Sequence, residues 1–199
     1  KEILSLEEIE DICRVFMKLG TRKIRLTGGE PLVRKGIMQV INNLGKEVGN
    51  CLDELTITTN GSQLEAKAEE LFNAGVRRIN VSLDHLNPEK FKEITRWGDL
   101  EKVQRGLQKA REVGLKIKIN TVAISNFNQN HLQEILIWCG RENFDMTIIE
   151  VMPMGDIGGD IRYGQYLPLS QVRKELEKKF TLEDLPEQTS GPARYVSVK

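Results

Sequence analysis

The sequence carries no excess of either charge: Lys+Arg and Asp+Glu number 29 each among 199 residues. General attraction to nucleic acid or to an anionic membrane is thereby excluded, and any anion must be held by locally placed cations. No apolar run approaches the roughly 18 residues of a membrane-spanning helix, and no signal-peptide pattern is read at the start. Cysteine is scarce, and Cys13, Cys51 and Cys139 have no Cys-x-x-Cys spacing. An odd, widely separated set excludes a disulfide framework and reads as reduced thiols of a cytoplasmic protein. Cys13 in one helical stripe and Cys139 after Trp138 in another are expected in the core, because a free Cys packs as a small hydrophobe. Tight hairpins are missing too, since the one Asn-Gly, Asn60-Gly61, leads into a helical pattern.

What is present is a strand–helix rhythm of a size that fits one domain over residues 1–199. Ser5-Leu6-Glu7-Glu8 is a capping-box pattern, followed at helical spacing by Ile9, Ile12, Cys13, Phe16 and Leu19 up to Gly20. Alternating runs at 23–27, 54–58, 78–84, 116–122 and 147–151 predict strands. Helical patterns fall between and after them at 37–48, 64–74, 88–94, 100–113, 131–139 and 171–180. Gly140 is expected to end the fifth of these and Ser170 to cap the last. The chain begins with Lys and stops in a strand-like run at Tyr195 to Lys199, so both ends read as cut. Repeated strand–helix–strand units predict an α/β fold with a parallel sheet and right-handed crossovers.

The two strand faces differ. Ile24, Leu26, Leu55, Ile57, Ile79, Val81, Leu83, Ile117 and Ile119 share one side. The other carries Lys23, Arg25, Thr27, Thr56, Thr58, Asn80, Ser82, Asp84, Lys116, Lys118 and Asn120. A doubly wound sheet needs both faces apolar, because helices cover both. One apolar face instead predicts an incomplete parallel (β/α) barrel with helices outside and a polar lumen, unlike the packed interior of a complete eight-stranded barrel. Its strand ends read Thr27-Gly28-Gly29-Glu30-Pro31, Thr58-Thr59-Asn60-Gly61, Ser82-Leu83-Asp84-His85, Asn120-Thr121 and Glu150-Val151-Met152-Pro153-Met154-Gly155. Turns and caps favour the same residue types. Five such ends above a cation-bearing lumen point to a ligand site. His85 has no partners for a metal site and reads as a loop or helix-cap residue, and His131 as surface or helix packing. Lys116 could serve an aldolase-like barrel as a Schiff-base lysine, a minor option beside a second lysine two residues on.

Gly28-Gly29-Glu30-Pro31 directly after a strand resembles the GGEP motif of the radical S-adenosylmethionine (SAM) superfamily, and the longer string from Ile24 to Arg34 is more specific. Thr58 to Gly61, Arg78 to Asp84, Lys118 to Val122 and Ile149 to Gly155 resemble successive segments of its GTP 3′,8-cyclase family, as does Ser190-Gly191-Pro192-Ala193. The resemblance implies that Gly28, Gly29, Glu30, Ser82 and Met152 hold SAM, and that Arg25, Thr58 and Lys118 hold GTP. Arg supplies a fork and Lys a point charge for such a ligand; pairing with Glu150 or Asp84 is the plain alternative for these two cations.

The same resemblance implies two [4Fe–4S] clusters. Their cysteine ligands, a Cys-x3-Cys-x2-Cys loop before Lys1 and a second set beyond Lys199, are not in this sequence, so the chain reads as a piece of a larger enzyme, inactive alone. The implied reaction is reductive SAM cleavage, hydrogen abstraction from the GTP ribose and bond formation to guanine C8, a lyase step that begins molybdenum-cofactor synthesis. GTP, an electron donor and a downstream cyclic pyranopterin monophosphate synthase are the implied partners, and a homodimer is compatible with it. Competing readings are another radical SAM enzyme acting on a peptide or other small molecule, and a cluster-less nucleotide-binding or scaffold module.

Overall fold

The computed structural model describes residues 3–152, 164–187 and 193–199. The expectations resting on Pro153 to Gly155 and on Ser190 to Pro192 lie outside them.

Helix α1 (Leu6–Lys18) starts at the expected capping box: Ser5 Oγ accepts from the Glu8 amide at 3.1 Å, and the Ser5 amide donates to Glu8 Oε2 at 2.6 Å. Strand β1 (Lys23–Leu26) and a 3₁₀ turn (Pro31–Val33) lead to α2 (Ile37–Gly45). Then follow β2 (Glu54–Thr59), α3 (Leu64–Asn73), β3 (Arg78–Ser82), α4 (Pro88–Thr95), α5 (Leu100–Glu112) and β4 (Lys116–Ala123). Helix α6 (Leu132–Glu142), β5 (Asp145–Glu150), α7 (Leu169–Glu177) and the strands β6 (Leu182–Asp184) and β7 (Val196–Val198) complete the order.

Two expected boundaries are corrected. Helix α6 runs through Gly140 to Glu142, because Gly140 stands in a packed helix where its cost of about 1 kcal/mol is tolerated. Helix α7 begins with Pro168 at the cap and Ser170 already inside the first turn; the Leu169 amide donates to Glu150 Oε1 at 2.8 Å, and this carboxylate does the work expected of a serine cap.

The sheet order is β1-β2-β3-β4-β5, the chain order, with β1 to β4 paired in parallel. Barrel closure is not seen, and the sheet is open among the described residues. Its apolar face and the helices form one core. Leu55, Ile57, Ile79, Val81, Ile117 and Ile119 pack with Val40, Ile41, Leu44, Leu64, Leu71, Leu107 and Ile135. Full burial of side chains of this size contributes about 1.5–3 kcal/mol each. The end of α2 abuts the end of α3: a Cβ on Gly45 would lie 1.7 Å from the Ala74 carbonyl oxygen.

Two compact units are present. One comprises residues 1–121 and 135–147, the other 122–134 and 148–199. The first holds the core described above. In the second, β6 and β7 form an antiparallel pair, the strand-like ending expected from Tyr195 onward.

Candidate functional site

Parallel register sorts the polar face into levels. Arg25, Thr56, Arg78 and Lys116 are successive partners across β1 to β4. Two residues further along, Thr58, Asn80 and Lys118 form the next level, and Ser82 with Asn120 the one after. Each level lies about 6.6 Å beyond the last, at roughly 3.3 Å per residue. Arg25, Thr58, Ser82 and Lys118 therefore share one face, as the alternation of the sequence implies. Met152 belongs to the second unit, where it is exposed.

At the start of the strands the face is charged. Lys23, Asp53, Glu54, Arg77, Arg78 and Lys116 line a cleft of about 390 Å³. Glu54 accepts from Arg78 Nε at 2.8 Å and Nη2 at 2.9 Å, a two-pronged pair that the sequence reading missed. These bonds, aided by the charges of Arg78, Lys23 and Arg25, hold the Glu54 carboxyl below the usual carboxylate range. Lys23, Arg25 and Lys116 have no ion pair or hydrogen-bond partner among the described residues, so Arg25 is not in the Glu150 or Asp84 pairing weighed above. Three cations on one face with no direct bond to a carboxylate among the described residues can accept an anion.

At the strand ends the backbone opens. Gly28 and Gly29 have φ of 98° and 50°, and a Cβ added at either would meet nothing within 4 Å. The left-handed backbone explains the glycines, and the empty space before them leaves room for a ligand to reach main-chain atoms. Glu30 is tied to its neighbours through three hydrogen bonds. Its Oε1 accepts from the Leu32 amide at 3.0 Å and from Thr59 Oγ1 at 2.7 Å, and its Oε2 from the Asn60 amide at 2.5 Å. Thr59 Oγ1 in turn accepts from the Gly61 amide at 3.1 Å. The carboxylate thus ties the loop after β1 to the loop after β2, a role no local motif in the sequence reveals. Ser82 is exposed at the end of β3. His85 is 3% exposed, with Nδ1 accepting from the Asn87 amide at 3.0 Å beside the cap of α4, the loop role expected of it. His131 faces Glu134 at 3.0 Å near the start of α6.

A sequence-family model described as the radical SAM superfamily matches residues 1–139. The chain belongs to the radical SAM superfamily. It is 56% identical over all 199 residues to a GTP 3′,8-cyclase of Rhizobium etli (strain CIAT 652), covering 57% of that protein. The same identity relates it to a GTP 3′,8-cyclase of Brucella ovis, of which it covers 58%. It therefore spans somewhat over half the length of the curated relatives it matches, and the resemblance read from its motifs extends over the whole chain. Among solved structures, that titled native anSMEcpe with bound AdoMet and Cp18Cys peptide superposes with a TM-score of 0.69 at 19% identity, over 89% of this chain and 51% of the other. Streptococcus suis SuiB bound to S-adenosylmethionine gives 0.67 at 18%, over 89% and 41%. At such identities the structures establish the radical SAM fold alone.

The radical SAM motif fits its ligand in one respect: the Gly28-Gly29 turn presents unobstructed backbone, suited to the polar methionyl end of SAM. The described residues do not fit an iron–sulfur cluster. Cys13 lies in α1, Cys51 before β2 and Cys139 in α6, and no group of three His, Cys, Asp or Glu among the described residues is placed to hold a metal ion. Burial pushes the Cys139 thiol up to about 12, away from the thiolate a metal would need.

Proposed function

We propose that this chain is the barrel portion of a radical SAM GTP 3′,8-cyclase, the lyase that converts GTP to its 3′,8-cyclic dihydroguanosine triphosphate at the start of molybdenum-cofactor synthesis. The carrying observation is the register that sets Arg25, Thr58 and Lys118 on one face below the open Gly28-Gly29 turn. The 56% identity to proteins named GTP 3′,8-cyclase supports the choice of substrate.

Gly28, Gly29, Glu30 and Ser82 are assigned to SAM, and Glu30 also holds the loops there; the SAM role of Met152 rests on the motif resemblance alone. When bound and reductively cleaved, SAM supplies the hydrogen-abstracting chemistry. Arg25 and Lys118 bind the nucleotide through charge, Thr58 by its hydroxyl, and the apolar wall behind the strands keeps water from that side of the sheet. The two [4Fe–4S] clusters of this reading find no ligand set among the described residues, and their cysteines belong to the remainder of a longer enzyme. An electron donor, a downstream cyclic pyranopterin monophosphate synthase, a homodimer and a cytoplasmic location belong to the same proposal. No described helix is long and apolar enough to cross a membrane.

The test is calorimetric titration of GTP and SAM into the complete enzyme and its Lys118→Ala variant. Loss of one charge-assisted bond, about 1.5–3 kcal/mol, should weaken GTP on the order of ten- to hundredfold and leave SAM binding unchanged. Equal GTP affinity would remove GTP as the ligand this lysine selects.

A further inference from the structure

Asn80 stands in the middle of β3 and is 2% exposed. Its flanking residues, Ile79 and Val81, are fully buried on the apolar face, and its level partners on the polar face are Thr58 and Lys118. The buried Nδ2 has no hydrogen-bond partner among the described residues. Thr56, equally buried on the same face, donates to the Arg78 carbonyl at 2.8 Å, so the strand backbone can satisfy a short polar side chain here. Asn is depleted from strand interiors, and a buried amide without a partner destabilises the fold that carries it. Such a group in a native chain calls for a partner absent from the free protein.

We infer that Asn80 is a substrate-contacting residue whose amide hydrogen-bonds the ribose of the bound nucleotide, an inference that rests on the GTP reading above. Its level lies between that of Arg25, where unpartnered cations suit phosphates, and that of Ser82, toward the SAM end. What separates the phosphates of a nucleotide from its base is a sugar bearing hydroxyls. A hydroxyl both donates and accepts, as an amide does, whereas a phosphate oxygen at neutral pH chiefly accepts. A half-turn about χ2 exchanges the two ends of the Asn80 amide at little cost, so either end can meet the ligand.

The experiment uses the complete, anaerobically reconstituted enzyme as wild type, Asn80→Leu and Lys118→Ala. GTP, 2′-deoxy-GTP, 3′-deoxy-GTP and SAM are titrated into each by calorimetry, and melting is followed without nucleotide. Asn80→Leu should bind GTP roughly tenfold more weakly, bind SAM within about twofold of wild type, and melt no lower than wild type. At least one deoxy analogue should bind wild type more weakly than GTP does, and that deficit should vanish in Asn80→Leu. A lower melting temperature with GTP affinity retained would show a merely structural residue and overturn the inference. So would an unchanged deficit for the analogues. Should the leucine variant not fold, Asn80→Ala, with SAM binding as its folding check, is judged by the same nucleotide comparison. Lys118→Ala separates the two ideas: if it weakens GTP and Asn80→Leu does not, only the ribose contact fails. If neither weakens GTP, the nucleotide reading fails with it.

Discussion

Glu30 has a structural duty that its motif does not announce. Three donors converge on its carboxylate, from Leu32, Thr59 and Asn60. Thr59 is buried on the apolar face, opposite Thr58, so its side chain belongs to the packing around the site and not to the ligand-facing surface. In the complete enzyme, Glu30→Gln places an amide NH₂ against one of these donors and should weaken both SAM and GTP, each by about three- to tenfold. Thr59→Val should reproduce part of the loss, and the two changes should be non-additive in titrations of the double variant. Additive losses would assign Glu30 a separate, direct contact. Glu54 offers a pH test. Its folded pKa is depressed, so its stabilising effect is present above the unfolded value near 4.5 and is lost as pH falls through the folded value. Glu54→Gln should cost about 1–2 kcal/mol at pH 7 in denaturant unfolding, and the gap from wild type should narrow as pH falls below 4.5 through the folded value.

Elements were largely legible because their period is strong. Alternation of Ile and Leu with Lys, Arg, Thr and Asn fixed the faces of β1 to β4, and the Ser5–Glu8 box fixed the start of α1. What escaped has a physical reason in each case. The cap of α7 comes from Glu150, 19 residues away, which no local pattern contains. The Glu54–Arg78 pair joins residues 24 apart that become neighbours only through strand pairing. Asn80 was legible as a polar-face residue but not as a buried one without a partner, because burial depends on the strands beside it. Gly45 was silent as well, since its φ is ordinary and only the approach of Ala74 explains it. Gly45→Ala should gain up to about 1 kcal/mol in helix propensity and lose more to the carbonyl 1.7 Å from the new methyl. A net destabilisation of about 2–3 kcal/mol in chemical unfolding is expected. Equal or greater stability would show that α2 and α3 separate easily.

At the scale of the molecule, the strands follow one another across the sheet in chain order, so each inner strand pairs with the units before and after it. Such an arrangement resembles a stack of repeats, whose cooperativity runs through nearest neighbours and weakens at a free end. β1 is one such end: none of its four residues is buried, whereas three consecutive residues are buried in β2 and again in β3. Amide hydrogen exchange should therefore be graded, faster in β1 than in β2 and β3, and uniform protection from β1 to β3 would contradict it. Arg25 rides on this edge strand, while Thr58 and Lys118 stand on better-protected inner ones. A nucleotide gripping all three would slow exchange most in β1, so substrate binding would be recorded as the arrest of a fraying edge.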